Sequence, residues 1–276
     1  MSKLILIMID GISADLFEQA KAWLPNLHAL AKKGTRIQAL PPEVCGTSFP
    51  GRTSMIAGQT AAEHGVYGNK IWDGVEFRWA TPEDVLTDTV ASLAKGSNKK
   101  VAGLGYGMVN SQDCDLYLDP WWSDETTNRA RTDDSSSPEE KQQAHLRQVQ
   151  AQNQREALSR RTKARLETLD KARFDTQVIN PNGAKYQDYN NTETMTFGML
   201  ADQQLLDIAA GLACSDDAPD LILLEIAATD YFLHKYGAND PMMAHSLRTA
   251  DAQVGTLLER LRQAGKLDEY NFAIMS

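Results

Sequence analysis

The sequence has few cysteines, no long apolar run and no excess of positive charge. Its three cysteines are widely spaced and form no CxxC pair, which argues against a disulfide framework or a cysteine-rich zinc site. No apolar stretch is long enough to span a bilayer. A net charge of -9 also argues against general binding to nucleic-acid backbones. We therefore expect a soluble protein that engages neither membranes nor duplex nucleic acid.

The N-terminal apolar run, residues 4–9, predicts a buried strand rather than a signal peptide. It is shorter than the apolar region of a usual signal peptide and ends at Asp10 without a small-residue cleavage site. A short, continuous apolar run is typical of a strand that is covered on both faces, as in a parallel sheet. We expect a cytoplasmic location for the chain.

Apolar patterns further along the chain predict strands that alternate with helices. This alternation implies one α/β domain over residues 1–276, with a mostly parallel central sheet flanked by helices. The predicted strands are 4–9, 101–108, 221–226 and 270–275, and the predicted helices are 14–33 (interrupted at Pro25), 196–213 and 244–264.

Residues 113–195 break this alternation. Within them, residues 139–173 predict a long polar helix with few apolar anchors. A solvated helical excursion is one interpretation. The other is a cap-like insertion over an active site at the carboxyl edge of the sheet, where open α/β folds bind ligands.

Two segments in the N-terminal part carry groups suited to phosphoryl chemistry. Asp10 follows the first predicted strand, where a carboxylate can bind Zn²⁺, Mg²⁺ or Mn²⁺, although an Asp-Gly step is also an ordinary turn. Ser48 stands just before the helix-like run 52–57. There it is either a helix cap or, with a metal ion and the positive helix end to stabilise its alkoxide, a nucleophile for phosphorus.

Two later segments add candidate ligands. His64 and Asn69 lie in a glycine-rich stretch, where a structural histidine and a turn-forming asparagine are the simpler interpretations. Asp230 and His234 follow the strand 221–226 with an i, i+4 spacing that lets two side chains bind one ion. A DxxxH pattern alone is a weak signal, and its place after a buried strand strengthens it.

Together these segments resemble the alkaline phosphatase superfamily, and within it the nucleotide pyrophosphatase/phosphodiesterase branch, with phosphonoacetate hydrolases as near relatives. The similarity follows the chain in order, outside 113–195, and implies an alkaline-phosphatase-like fold. It rests on the strand ending in Asp10-Gly11, the Leu24-Pro25-Asn26-Leu27 stretch, the Ser-Phe-Pro segment at 48–50, the His-Gly turn leading to Asn69, the Asp-xxx-His-Lys-Tyr-Gly run from Asp230, and residues 271–276.

The resemblance implies a hydrolase of phosphodiester, pyrophosphate or phosphonate substrates, acting on a small nucleotide or phosphonate. Ser48 would be the nucleophile and form a phospho-enzyme intermediate. Many relatives have threonine there, and Thr47 is the alternative nucleophile. Asn69 would donate its side-chain amide to a phosphoryl oxygen.

The same resemblance implies two divalent metal ions, with zinc as the expected metal. Asp10 would bind the first ion, and Ser48 would bridge to it. Asp230 and His234 would bind the second, so that the pair of ions clamps the attacking and leaving oxygens.

In this superfamily a strand like 272–276 is followed by an Asp-His-Gly motif that completes the metal sites. The sequence stops at Ser276, which leaves two protein ligands for each ion where a catalytic zinc usually has three. We therefore expect a catalytic domain without its C-terminal part, weak zinc binding and little activity in isolation. A C-terminal half present as a separate chain would be a partner.

Two other functions remain open on the sequence. Ser48 and Arg52 also fit the Cys/Ser-x-Pro-x-Arg signature of sulfatases and phosphonate monoester hydrolases, in which the first residue becomes formylglycine. An intact-mass measurement separates this from an unmodified serine. A non-catalytic binding or regulatory remnant of the fold is the third possibility, and the incomplete ligand sets favour it.

Overall fold

The structure, a computed structural model, describes residues 3–37, 40–72, 77–123 and 192–276, together with part of 146–166. A five-stranded sheet and a separate two-stranded hairpin are the β elements of these residues. The strands are β1 (Lys3–Ile9), β2 (Lys70–Trp72), β3 (Phe77–Trp79), β4 (Val101–Leu104), β5 (Leu116–Leu118), β6 (Leu221–Ile226) and β7 (Tyr270–Met275).

The five-stranded sheet has the order β5-β4-β6-β1-β7, and each of its four pairings is parallel. The hairpin β2–β3 is antiparallel. Since all strands of the sheet run the same way, their carboxyl ends lie along one edge. The turn after β1 and the segment after β6 are neighbours at that edge, because β1 pairs with β6 in register from Leu4–Leu221 to Ile9–Ile226.

Helices cover both faces of the sheet, which makes the fold the predicted α/β arrangement. The helices are α1 (Ala14–Gln19), α2 (Pro25–Lys33), α3 (Ser48–Ala57), α4 (Ala61–His64), α5 (Val90–Gly96), α6 (Thr192–Ala213), α7 (Ala228–Tyr236) and α8 (Pro241–Gln263). Among the described residues, we find no helix with the length and apolar character needed to cross a membrane.

Strand β1 contributes side chains to two hydrophobic cores, one on each face of the sheet. Ile5 and Ile7 point into a core that includes residues of α6, α7 and α8, whereas Leu6 and Met8 point into a core that includes residues of α3 and β2. Side chains alternate between the faces of a strand, so a strand covered on both sides has to be apolar throughout. The continuous apolar run at the N-terminus is explained by this position.

The predicted strands 221–226 and 270–275 are confirmed, and the break at Pro25 divides α1 from α2. The predicted strand 101–108 is wrong at its end, because β4 stops at Leu104. The next residue, Gly105, has a φ of 72°, and a Cβ on it would lie 2.6 Å from Cδ1 of Leu205. A left-handed glycine packed against α6 turns the chain out of the sheet at this point.

Helices α6 and α8 begin a few residues before the apolar pattern predicts. In α8 the first turn is set by capping: the Asp240 side chain accepts a hydrogen bond from the Met242 N–H at 2.8 Å, and Pro241 takes the first helical position. A helix start that is set by capping lies outside the apolar stripe of the helix, so hydrophobic periodicity does not predict it.

The predicted insertion 113–195 is described only in part. Strand β5 and the first residues of α6 lie within these limits and join the body of the fold. The described residues of 146–166 are helical, in agreement with that part of the predicted polar helix. The rest of 139–173 lies outside the described residues, so the cap role stays a prediction.

Candidate active site

The turn after β1 places Asp10 at the carboxyl edge of the sheet. The Asp10 N–H donates to the carbonyl of Ile226, and the Asp10 carbonyl accepts the Thr229 hydroxyl at 2.5 Å. Gly11, with a φ of 84°, lets α7 approach, since a Cβ there would lie 3.1 Å from the Cα of Asp230. Backbone bonds and a glycine thus hold the two acidic residues of the site close together.

Helix α3 begins at Ser48, so the predicted nucleophile lies at a helix N-terminus. Thr47 precedes it in an extended conformation, Pro50 lies in the first turn, and Gly58 ends the helix with a φ of 63°. The sequence had indicated a start near residue 52, and the observed helix is one turn longer. Ser48 is half-buried. In the first turn Pro50 has no N–H and the Gly51 N–H donates to the Thr47 carbonyl at 3.2 Å, so an anion is favoured here by the positive end of the helix dipole.

Asn69 lies beside this helix start. Its Oδ1 accepts a hydrogen bond from the Phe49 N–H at 2.8 Å, and its own carbonyl accepts the Ala80 N–H at 2.9 Å. The first bond satisfies one N–H of the helix terminus and orients the carboxamide, so that its Nδ2 is the end left to donate. The structure therefore brings Ser48 and Asn69 together.

One helical turn after Ser48, Arg52 forms a buried ionic cluster with two carboxylates. Its Nη2 lies 2.6 Å from Asp10 Oδ2 and 2.6 Å from Glu225 Oε1, and its Nε lies 3.0 Å from Glu225 Oε2. The side chains of Arg52 and Glu225 are almost fully buried, and that of Asp10 is 17% exposed. We refer to Asp10, Arg52 and Glu225 as the Asp10 cluster.

Further donors and rings fix the Asp10 cluster. Glu225 also accepts the Trp122 Nε1–H at 3.0 Å and the Gly107 N–H at 3.2 Å. The Arg52 guanidinium lies over the Trp122 ring at 5.0 Å. Burial lowers the pKa of Arg52, but the two carboxylates more than offset this, and its pKa lies above the usual range. Burial raises the pKa of Glu225, and Arg52 opposes that shift. Every group of this cluster is paired.

The second acidic group of the site lies on α7. Asp230 is in the first turn of this helix and His234 one turn later, with Asp230 Oδ1 at 3.5 Å from His234 Nε2. Burial, together with the nearby Asp10 carboxylate, raises the pKa of Asp230 to about 6. We refer to Asp230 and His234 as the Asp230 pair. The His234 side chain is 57% exposed, whereas no side chain of the Asp10 cluster is more than 17% exposed.

A buried aspartate on α6 holds the start of α7. Asp202 accepts hydrogen bonds from the N–H groups of Ala227 at 3.2 Å and Ala228 at 2.9 Å, and from Trp121 Nε1 at 2.8 Å. It is fully buried, which raises its pKa to about 7. Because α7 carries the Asp230 pair, Asp202 fixes the helix that presents both candidate ligands.

Behind α3, a polar network ties the segment before Ser48 to α4. The Ser54 hydroxyl lies 2.9 Å from His64 Nε2 and donates to Glu43 Oε2 at 3.0 Å, and Glu43 also accepts the Ala61 N–H. His64 Nδ1 accepts the Val66 N–H at 3.2 Å, so Nε2 carries the proton and donates to Ser54. This histidine is fully buried and structural, as the simpler interpretation of the sequence had it.

Phe49 belongs to an aromatic group at the start of α3. Its ring lies 5.8 Å from those of Trp79 and Trp122, and it is 8% exposed. The two tryptophans are only half-buried and offer more ring surface than Phe49 does. The solvent-exposed aromatic surface of this group therefore belongs mainly to the two tryptophans.

The acidic and imidazole groups at this edge match zinc in chemistry but not in number. Carboxylate oxygen and imidazole nitrogen are both zinc ligands, and the Asp230 pair provides one of each. In the part of the chain that the structure describes, however, no group of three or more His, Cys, Asp or Glu side chains is placed to hold a metal ion. The donors fit, but a catalytic zinc ion usually needs three protein ligands.

All five site residues predicted from the sequence lie at or beside this edge: Asp10, Ser48, Asn69, Asp230 and His234. The structure adds four residues whose contacts with the site the sequence did not predict. One is Arg52, which the sequence indicates only as part of the sulfatase-like signature. Glu225 is the one charge in the apolar run 221–226, a signal that could have found it. The remaining additions are Trp122 and Asp202.

Solved structures with the same fold match nearly the whole chain. Murine ectonucleotide pyrophosphatase/phosphodiesterase 5, in an inactive form in complex with AMP, superposes with a TM-score of 0.61 at 13% identity, covering 99% of this chain and 56% of that one. The human protein of the same name gives a TM-score of 0.59 at 12% identity, covering 99% and 55%. At these identities the likeness shows the fold alone, and the alkaline-phosphatase-like α/β prediction is confirmed.

Sequence comparison points the same way. The bis(5'-adenosyl)-triphosphatase enpp4 of Xenopus laevis is 31% identical over 71 residues, which are 26% of this chain and 15% of that protein. The chain thus spans about half the length of the solved relatives and matches a smaller share of this one. The family model for type I phosphodiesterase / nucleotide pyrophosphatase matches residues 4–276. The chain therefore belongs to the type I phosphodiesterase / nucleotide pyrophosphatase family.

Proposed function

We propose that this chain is a metal-dependent hydrolase of phosphodiester, pyrophosphate or phosphonate substrates, with Ser48 as its nucleophile. One observation carries the proposal: Ser48 begins α3, and Asn69 Oδ1 accepts the N–H of the next residue, Phe49, at 2.8 Å. A hydroxyl at a helix N-terminus, with a side-chain amide beside it, is suited to bind and attack a phosphoryl group.

The reaction proceeds by in-line displacement. The Ser48 oxygen forms a bond to phosphorus while the bond from phosphorus to the leaving group breaks, and the serine proton passes to the leaving group. The leaving atom is an oxygen in a phosphodiester or pyrophosphate and the carbon in phosphonoacetate. Water then hydrolyses the Ser48 ester, releases the phosphorylated product and restores the hydroxyl. Asn69 Nδ2 donates to a phosphoryl oxygen as negative charge builds on it, and the positive end of the α3 dipole stabilises the same charge.

Two zinc ions are part of this proposal. Asp10 and Ser48 would hold one, and Asp230 and His234 would hold the other, with further ligands beyond these four residues. When bound, zinc supplies positive charge that lowers the pKa of the serine hydroxyl and neutralises the phosphoryl group.

The substrate in this proposal is a small phosphorylated molecule, and a nucleotide is the first candidate. The murine relative is described in complex with AMP, and the Xenopus relative is named a bis(5'-adenosyl)-triphosphatase. In this chain the half-buried rings of Trp79 and Trp122 flank Phe49 next to the nucleophile. Ring surface of this kind stacks against a nucleobase or an aryl leaving group.

The test compares Ser48→Ala with Thr47→Ala. Both remove a hydroxyl at the start of α3, and Thr47 makes no side-chain cap bond there. Because zinc binding and activity are expected to be weak, the rates are measured with millimolar zinc. We expect Ser48→Ala to reduce the turnover of bis(4-nitrophenyl) phosphate and diadenosine triphosphate to the rate of the uncatalysed reaction, and Thr47→Ala to lower it by less than about tenfold. Intact mass after a single turnover should show a phosphoryl adduct that Ser48→Ala abolishes.

Other outcomes of this test point to the other two functions. A larger loss in Thr47→Ala would move the nucleophile to Thr47. Preferred turnover of 4-nitrophenyl sulfate, with a resting mass that is lower by the two hydrogens lost on formylglycine formation, would indicate the sulfatase reaction. No adduct and no turnover on any substrate, phosphonoacetate included, would favour a non-catalytic role.

A further inference from the structure

The two carboxylates at the carboxyl edge of the sheet have different neighbours. Asp10 Oδ2 receives the Arg52 guanidinium at 2.6 Å, so one of its two oxygens is already bound by a fixed positive charge. Asp230 lies 3.5 Å from an imidazole that is more than half exposed. A cation that approaches Asp10 meets a guanidinium, whereas one that approaches Asp230 meets a histidine that can become a ligand.

The guanidinium has no easy way to leave Asp10. Two hydrogen bonds to Glu225, at 2.6 and 3.0 Å, hold its Nη2 and Nε in a fork. Glu225 is in turn fixed by Trp122 Nε1 and the Gly107 N–H, and its side chain is 1% exposed. Withdrawal of Arg52 from the cluster would leave a buried carboxylate without its counter-ion, which proteins rarely tolerate.

Like charges close together in a partly buried site repel strongly, and a divalent ion at Asp10 would have to share that carboxylate with Arg52. We propose that Arg52 is a built-in competitor for metal at Asp10, so that the Asp230–His234 position fills first and the Asp10 position fills only at higher metal concentration. This inference rests on the two-ion site of the proposed function. It adds that the two ions bind with unequal affinity and names the residue responsible.

The test measures metal binding itself. Zn²⁺ is titrated into the metal-free chain by calorimetry, up to millimolar concentration, and Co²⁺ absorption reports the ligand environment of each ion. In the double variant Arg52→Gln/Glu225→Gln the guanidinium and its buried counter-ion are replaced by two neutral amides. We expect the weaker ion to bind at least about tenfold more tightly than in the wild type, and the tighter ion to change by less than about threefold.

The variant Asp10→Asn tests whether the tighter binding of the weaker ion arises at Asp10. Added to the double variant, it should abolish the tighter binding of the weaker ion. In the wild type, it should leave the tighter ion within about threefold, whereas Asp230→Asn should remove it. These single changes keep the test decisive if circular dichroism shows that the double variant does not fold.

Three results would overturn the inference. The first is two ions of equal affinity in the wild type, and the second is no tightening when Arg52 is replaced in a folded variant. The third is loss of the tighter ion in Asp10→Asn alone. All three leave the hydrolase proposal standing, because metal still binds. Absence of metal binding and of turnover in every variant would overturn both.

Discussion

The two acidic groups at the carboxyl edge of the sheet face each other but are built differently. In the Asp10 cluster, Arg52 binds both Asp10 and Glu225, and the Arg52 and Glu225 side chains are almost fully buried. In the Asp230 pair, the carboxylate and imidazole lie 3.5 Å apart, and the imidazole is 57% exposed. In the first group both carboxylates bind the same guanidinium, and in the second the imidazole is largely exposed to solvent.

This difference separates a group that holds the fold from a group that is available to a ligand. A buried ion pair has given up its hydration, so loss of one partner leaves an uncompensated charge. In the Asp230 pair the carboxylate is 16% exposed, much as in Asp10, but its imidazole partner keeps its hydration, so their contact at 3.5 Å contributes little to stability. Positive charge is therefore built in on the Asp10 side, whereas on the Asp230 side a bound metal ion would supply it. The predictions below test this division.

The largest effect is expected for Glu225→Ala. It removes the carboxylate that binds two nitrogens of Arg52 and leaves the buried guanidinium with Asp10 as its one remaining counter-ion in the cluster. We expect the free energy of unfolding to fall by about 3–5 kcal/mol in urea denaturation at pH 7.

The control for Glu225→Ala is Asp230→Asn on the other side of the site. Since burial and Asp10 raise the pKa of Asp230 to about 6, its charge costs stability at pH 7, and we expect unchanged or higher stability. A decrease in the free energy of unfolding below about 1 kcal/mol for Glu225→Ala would contradict this division of the site. So would a decrease above about 1 kcal/mol for Asp230→Asn.

The second largest effect is expected for Asp202→Ala, which leaves the N–H groups of Ala227 and Ala228 and the Trp121 indole without their shared acceptor. We expect a loss of about 2–3 kcal/mol in the free energy of unfolding, because buried donors lose their hydrogen bonds. The control is Asp207→Ala on the same helix. Its ion pair with Arg260 is partly exposed, so its loss should cost less than about 1 kcal/mol.

The Asp202 prediction also bears on the Asp230 pair. If Asp202 holds the start of α7, then its replacement should weaken zinc binding in calorimetry, while Asp207→Ala should not. Equal zinc affinity in the two variants, with both folded, would show that α7 keeps its position without Asp202.

The sequence predicted the parts of this site that follow directly from strand order along the chain. Asp10 and Asp230 each come at or just after the end of a buried apolar run, and parallel strands bring such ends to one edge. Ser48 is predicted from its place before a helix-like run, whereas the role of Asn69 is implied only by the family resemblance. These positions depend on neighbours in sequence, which a single chain displays.

The sequence did not predict which of these groups would be paired. Arg52 meets Asp10 and Glu225 because β1 and β6 are adjacent in the sheet, placing Met8 opposite Glu225, and because α3 packs across their ends. Adjacency of strands that are more than 200 residues apart is a tertiary property. The same holds for Asp202, an aspartate within α6 that caps a different helix. A lone charge in an apolar strand, as at Glu225, is the only local trace of such contacts.

A third and smaller effect concerns the pH dependence of stability that arises from His64. Burial lowers the pKa of His64 below its ordinary value of 6.5. Below pH 6.5 the unfolded chain therefore takes up a proton that the folded chain does not. The stability due to neutral His64 is complete above pH 6.5 and is lost as the pH falls toward the folded pKa.

The variant that isolates this effect is His64→Gln, whose amide can still accept from Val66 and donate to Ser54. Between pH 7.5 and 5.5 we expect the wild type to lose about 1 kcal/mol more stability than His64→Gln does. Urea denaturation at both pH values measures this difference. An equal loss in both proteins would mean that His64 is protonated as easily in the folded chain as in the unfolded one.

The smallest effect is expected for His234→Ala without metal. The imidazole is mostly exposed, so its removal should change the free energy of unfolding by less than about 0.5 kcal/mol. With zinc present the same change should matter, because an ion that binds only the folded chain stabilises it by mass action. We expect zinc to raise the melting temperature of the wild type and not that of His234→Ala. His245→Ala is the matched control, since this histidine lies on α8 and should leave the zinc response unchanged. A stability loss above about 1 kcal/mol in metal-free His234→Ala would place this residue with the structural groups and erase the contrast between the two sides of the site.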